Sequence, residues 1–161
     1  ARDHESYRHA LAWLSPERDT QQTRDIVRTL RARGKLVHCT WNGSRLRDRY
    51  EVDHVIPWAR WPCNDLWNLA PATASANASK GDRLPSAEAL AEAEARFQAW
   101  WTMVRSVSEN VEQQFEQEVR ATLPFVTHPS NAQDLFDGLT LLRASLRQHQ
   151  QIPEWSIRGT R

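Results

Sequence analysis

The chain has 161 residues, of which 40% are hydrophobic and 25% charged, with a net charge of +1. Those values fit one globular domain with a sizeable core. They exclude a strongly basic nucleic-acid-coating protein, and no apolar run approaches the roughly 20 residues of a membrane span. The charge is unevenly spread: residues 1–50 carry eleven Lys/Arg against six Asp/Glu, residues 51–85 three against four, and residues 86–161 seven against ten. A basic first third beside an acidic last third suggests one face for phosphates and another for solvent or a protein partner. The start, ARDHESYRHALAW, has neither an initiator Met nor a signal-peptide apolar stretch, so a processed chain or a piece of a longer one is expected. Two cysteines, Cys39 and Cys63, give no disulfide framework, and reduced thiols in the cytoplasm are expected.

In chain order, Tyr7, Ala10, Leu11 and Leu14 lie at helical spacing, which predicts a helix over 3–14 that Ser15-Pro16 stops. Asp19 or Thr20 is placed to cap a second helix through Arg33. Ile26, Val27 and Leu30 are its apolar stripe, Arg24, Arg28, Arg31 and Arg33 its basic face, and Gly34 its end signal. The period then changes. Leu36–Cys39 reads as a strand, Trp41-Asn42-Gly43-Ser44 as a tight turn, and Leu46–Arg49 as a weak return strand. Tyr50–Val55 alternates and predicts another strand. Residues 56–67 read as an ordered loop, Leu69-Ala70 as a short strand, and Thr73–Lys80 as one or two helical turns bounded by Gly81 and Pro85.

From Ser86 the pattern is helical. Leu90, Phe97, Trp101, Val104, Val111 and Phe115 form one side of an amphipathic rod. A break is expected near Ser106–Asn110, with Ser106 and Glu109 as a capping box, and an end at Pro124. A last helix starts near Ser130, with Leu135, Leu139, Leu142 and Leu146 as its stripe, and Pro153 stops it. Adjacent Trp100 and Trp101 are not expected to share the core face of one helix, so one of them is a candidate exposed contact. Trp58, Trp61 and Trp67 are expected to pin loops and fill core more than to stack on bases.

The chemistry concentrates in YEVDHVIPWARWPCNDLWNLAPATASANASKGDRLPS, residues 50–86. At a strand end, where alternation relaxes, Asp53 and His54 can approach one cleft from different sides. Asp53 then suits as a hard oxygen ligand for Mg2+ or Mn2+, and a neutral His54 imidazole can take a proton from water; the alternative is a strand-end Asp capping a turn beside a locally satisfied His. Asn77, poorly placed for helix stability among Ala and Ser, reads either as a cap or as a neutral second metal ligand. Asn68 reads as a brace that orients the His54 loop through its backbone. Lys80 and Arg83 are candidate phosphate contacts, or else exposed turn cations.

The spaced set DH…DLWNL…N..KGDRLPS resembles the HNH endonucleases of ββα-metal fold, and within them the group whose last motif residue is Asn, as in the HNH domain of CRISPR RNA-guided effectors. The motif covers about residues 36–86. The resemblance implies an α+β fold: a ββα-metal core with a preceding hairpin at 36–86, an N-terminal helical segment at 1–35 and a C-terminal helical extension at 87–161. It implies a metal-dependent endonuclease acting on nucleic acid, DNA by preference, leaving a 5′-phosphate and a 3′-hydroxyl. Asp53 and Asn77 would bind one Mg2+ or Mn2+, His54 would be the general base, and Asn68 would complete the catalytic set by fixing the loop. Lys80, Arg83, Arg24, Arg28 and Arg31 would contact the nucleic acid. A role as the cutting part of a larger defence or RNA-guided complex is compatible with this pattern. The alternative is a non-catalytic nucleic-acid-binding module that keeps the fold. Many relatives carry a CxxC zinc knuckle before the DH strand. Here Cys39-Thr-Trp-Asn42 has Asn at the second Cys position, so no structural zinc is expected and Trp41 is expected to hold the hairpin instead.

Overall fold

The computed structural model describes residues 17–157 except Pro124; the helix expected over 3–14 lies outside them. The first described helix, α1, is Gln21–Ala32. It buries Thr23, Ile26, Val27 and Leu30, one face at three- and four-residue spacing, and leaves its arginines opposite. Thr20 occupies the cap position without capping through its side chain. Asp19 does that work, its Oδ1 accepting from the Gln21 amide at 2.8 Å. Gly34 ends the helix at φ +76°, a left-handed geometry that glycine adopts at little cost.

The two strands expected around the Asn42-Gly43 turn are reduced to a single antiparallel bridge, His38 to Arg45. Leu46 N to Val37 O at 2.9 Å and Cys39 N to Ser44 O at 2.8 Å close the ribbon. Thr40 then turns its amide to Pro71 O at 3.0 Å, so the ribbon bonds outward to the next sheet rather than extending its own.

Strand β1 is Glu51–His54 and β2 is Leu69–Ala72. They pair antiparallel, with Asp53 opposite Ala70 and His54 opposite Leu69. Helix α2, Ala74–Lys80, follows at once, capped by the Thr73 hydroxyl on Ala76 N and ended by Gly81 at φ +52°. This β-β-α unit is the scaffold of the site, and the α+β expectation holds.

Helix α3 is Ala87–Arg105, α4 is Glu109–Thr122 and α5 is Ala132–Gln150. The break between α3 and α4 falls where expected, but Ser106 does not cap α4. It is still right-handed helical and closes α3, and Ser108 caps α4 through Val111 N. Asn131 caps α5 by accepting from Gln133 N and Asp134 N. The expectation of one exposed tryptophan is wrong: Trp100 is 2% exposed and Trp101 1%. Helix α3 is covered on two sides, so adjacent positions both find core. Trp100 Nε1 donates to Leu69 O at 2.9 Å and Trp101 Nε1 to Trp67 O at 3.0 Å. Each ring thereby buries its apolar body and satisfies its one donor on the β-β-α unit.

A parallel pair unseen in the sequence closes the chain on itself: β3 (Leu84–Pro85) runs beside β4 (Glu154–Trp155). Arg143, on α5, locks it by donating from Nε to Pro85 O at 2.9 Å and pairing with Glu154. Trp155 then meets Trp41 edge to face, ring centroids 5.1 Å apart, and Trp41 meets Phe97 the same way at 5.1 Å. Trp41 is 1% exposed and anchors the ribbon to both the core and the returning C-terminal strand. Among the described residues no helix is long and apolar enough to cross a membrane.

Candidate active site

The end of β1, the start of the loop after it and the exposed side of α2 enclose a cleft of about 350 Å³. Asp53, His54 and Asn77 all border it, with Arg18, Arg24 and Asp82. The three residues that spacing linked in the sequence therefore share one space.

His54 is 4% exposed. Its Nε2 lies 3.0 Å from Oδ1 of Asn64. The orientation of that amide is set by two further bonds: Asp19 N donates to the same Oδ1 at 3.1 Å, and Asn64 Nδ2 donates to Glu17 O at 2.7 Å. Oδ1 is thus an acceptor, so Nε2 of His54 carries the proton and Nδ1 is the basic nitrogen. Among the described residues Nδ1 has no hydrogen-bond partner. Trp58 packs edge-on against the ring at 5.3 Å. Burial lowers the His54 pKa from 6.5; the Asn64 bond opposes this, Arg18 and Lys80 add to it, and Asp53 works against it. The imidazole is therefore neutral at pH 7.

Asp53 is held from both sides. Trp41 Nε1 donates to Oδ2 at 2.8 Å and Lys80 Nζ donates to Oδ1 at 3.1 Å. Lys80 also donates to His54 O at 2.7 Å. This corrects the expectation for Lys80: its side chain is 0% exposed, so it does not meet a phosphate at the surface. It lies three residues after Asn77 on α2, the spacing that puts both on one side of the helix. Burial pulls its pKa down, and the Asp53 carboxylate resists. Lys80 instead braces Asp53 and the backbone of His54 together.

Asn68 is fully buried and does not border the cleft. Its Oδ1 accepts from Ile56 N at 2.8 Å, and its Nδ2 donates to Cys63 O at 3.0 Å and Ile56 O at 3.3 Å. It ties the start of the 56–67 loop at Ile56 and its interior at Cys63. Asn77 is half-buried, and among the described residues its side-chain amide has no hydrogen-bond partner. Arg83 folds back to the carbonyls of Ser79 and Lys80 at the end of α2. Arg24 borders the cleft and pairs with Glu51 at 3.4 Å, whereas Arg28 pairs with Asp25 at 2.9 Å outside it. Arg31 lies farther along the same face of α1, its guanidinium 4.9 Å from the Tyr50 ring.

Two residues of the site were not anticipated. Asn64 sits beside Asp65 in the 56–67 loop, where its type signals only a turn. Arg18 lies before α1, 3.9 Å from Asp82 across the cleft; its charge shows in the sequence but its destination does not.

Asp53 and Asn77 are the two oxygen donors of the cleft that could hold a divalent cation. Asp53 keeps a second lone pair on each oxygen, and the amide oxygen of Asn77 is uncommitted. A carboxylate and an amide suit a hard cation that retains several waters. Among the described residues no three His, Cys, Asp or Glu side chains cluster as a ready-made cage. Cys39 and Cys63 are both free and buried. The Cys39 sulfur accepts from Thr73 N at 3.4 Å, and burial pushes the Cys63 thiol up to about 12.

Residues 41–86 match the family model described as HNH endonuclease. No curated protein matches the chain.

Proposed function

We propose, from the match of residues 41–86 to the HNH endonuclease family model, that the chain hydrolyses phosphodiester bonds in nucleic acid, DNA by preference, with His54 as general base. The observation that carries this reading is the pairing of an imidazole whose Nδ1 is basic with two oxygen donors, Asp53 and Asn77, on the walls of the same cleft.

His54 Nδ1 takes a proton from water as the water oxygen attacks phosphorus. The bond to the 3′-oxygen breaks and that oxygen takes a proton from solvent water, leaving a 5′-phosphate and a 3′-hydroxyl; the proton on His54 is later released to solvent. Asn64 holds the proton-bearing nitrogen in place, so the imidazole has no rotation or tautomer change to make before it acts. General-base catalysis of this kind contributes about 10²–10⁴ in rate. Asp53 and Asn77 would hold one Mg2+ or Mn2+, and such an ion would supply charge stabilisation to the reaction, worth several kcal/mol. Lys80 and Trp41 fix the Asp53 carboxylate so that it need not reorganise. Arg18 and Arg24 border the cleft as cations, each paired with an acid that also borders it, Asp82 and Glu51.

The intact set of Asp53, His54 and Asn77 argues against a module that keeps the fold without the chemistry. The test is nicking of supercoiled plasmid with Mg2+, Mn2+ or EDTA, followed by analysis of the ends. Cleavage that needs the cation, is lost in Asn77→Ala and leaves 5′-phosphates is expected. Cleavage that survives EDTA and Asn77→Ala overturns the assignment.

A further inference from the structure

Two more recesses continue from the cleft. One, of about 300 Å³, is bordered by Arg24, Arg28, Arg31 and Tyr50; the other, of about 650 Å³, by Arg31, Lys35, Leu36, Arg45 and Arg47. They share walls. Arg24 borders both the cleft and the first recess, and Arg31 borders both recesses. The depressions thus form one run, from His54 along α1 to the 37–46 ribbon.

Its walls are cationic in excess of what the fold neutralises. Among the described residues Arg31, Lys35, Arg45 and Arg47 make no ion pair with a carboxylate, and Asp48 is the single acid bordering the outer recess. Tyr50 lies between Arg24 and Arg31, whose guanidinium carbons stand 5.6 and 4.9 Å from its ring centroid. The arginines are thereby held in place by an aromatic face. Arg31 also donates to the carbonyls of Leu46 and Arg47, at 3.1 and 2.6 Å, which binds the ribbon to α1 and makes the floor continuous.

We infer that this run is a trough for the sugar–phosphate backbone of the nucleic acid flanking the scissile bond. The inference rests on the nuclease reading of the cleft and extends it to a path, most of whose residues lie before the segment that matches the family. The spacing suits a nucleic-acid strand. Arg24 and Arg31 are seven residues apart, about 10 Å along a helix, a length over which a duplex strand rises about three nucleotides along its axis at roughly 3.4 Å each. Contacts of this kind position the substrate and carry little sequence information.

The experiment uses the full chain and a labelled DNA duplex in EDTA, so that nothing is cut, with binding followed by anisotropy across a salt series. Lys35→Ala, Arg45→Ala and Arg47→Ala are combined in one variant; all three side chains are exposed and outside the cleft. Affinity is expected to fall about a hundredfold at ~0.1 M salt, and the slope of log K against log salt by about 2–3. The control variant, Arg120→Ala with Arg147→Ala on the C-terminal helices, is expected to bind like the wild type. Unchanged binding in the triple variant, or an equal loss in the control, overturns the trough. The two readings fail separately. Wild type that nicks plasmid while the triple variant binds normally sinks the trough alone; the expected binding loss in a protein that cuts nothing sinks the nuclease and leaves a binding trough.

Discussion

The ammonium of Lys80 lies 3.1 Å from Oδ1 of Asp53, with 0% and 5% of the two side chains exposed. A buried ion pair of this kind adds little net stability over an apolar pair, but removing one partner strands the other charge. Here the stranded charge would be the carboxylate proposed to hold the metal. Lys80→Ala is therefore expected to destabilise the fold by about 3–5 kcal/mol, measured as a lower midpoint in urea unfolding. An unchanged midpoint contradicts the bracing role.

Asn64 is a positioning residue, and its role is separable from folding through pH. Asn64→Ala frees the ring of His54 and is expected to lower kcat about tenfold or more, as misorientation of a reacting group does, with KM little changed. Asn64→Asp keeps the acceptor but adds a carboxylate beside the imidazole, which favours the imidazolium. Its activity profile is expected to move to higher pH. A profile that stays in place shows that Nε2 of His54 does not face residue 64.

The His54 pKa is lowered from 6.5, chiefly by burial. A base must be unprotonated, so the acid limb of kcat/KM is expected to fall below pH 6.5 rather than above it. Stability follows the same sign. Because the folded-state value is the lower one, the folded protein binds fewer protons. The contribution of His54 to stability is whole above pH 6.5 and is lost as pH drops through the folded-state value. An acid limb centred above 6.5 in the wild type contradicts the buried, neutral imidazole.

Gly138 lies on α5, and a methyl group added there would run into the side chain of Val126. Helix propensity favours alanine over glycine by about 1 kcal/mol, but forced overpacking costs about 1–3 kcal/mol. The clash is severe enough that the second effect wins. Gly138→Ala is expected to lower the melting temperature without altering cleavage at temperatures where both proteins are folded. A higher melting temperature shows that the loop carrying Val126 yields freely.

The elements around the site were legible because their signals are local. Tyr50–Val55 alternates, Thr73 caps α2 and Gly81 ends it, and each signal needs only its neighbours. Two of the failures come from contact between residues far apart in the chain, and a third from local backbone geometry. The pairing of Glu154–Trp155 with Leu84–Pro85 spans about half the chain and leaves no periodic trace. Trp100 and Trp101 looked incompatible on one helix because nothing in their segment tells that α3 is covered on two sides. Ser106 and Ser108 both precede a helical run by a few residues, and only the φ and ψ of Ser106, −73° and −7°, show that it belongs to the helix before.

In the candidate site, chemical type and spacing single out Asp53, His54 and Asn77, and all three border one cleft. Lys80 was misread as a surface cation because charge usually means exposure, and only a buried carboxylate opposite makes the exception. Asn64 left no mark, since an Asn in a loop is ordinary and its value comes entirely from the ring it meets.

As the proposed general base, the imidazole of His54 would accelerate hydrolysis without contributing to substrate binding. Single-turnover cleavage of a DNA substrate by His54→Ala, with the dissociation constant measured on the same substrate, separates the two effects. A rate reduced by about 10²–10⁴ at unchanged affinity is the predicted result. A rate within a few-fold of wild type would contradict it.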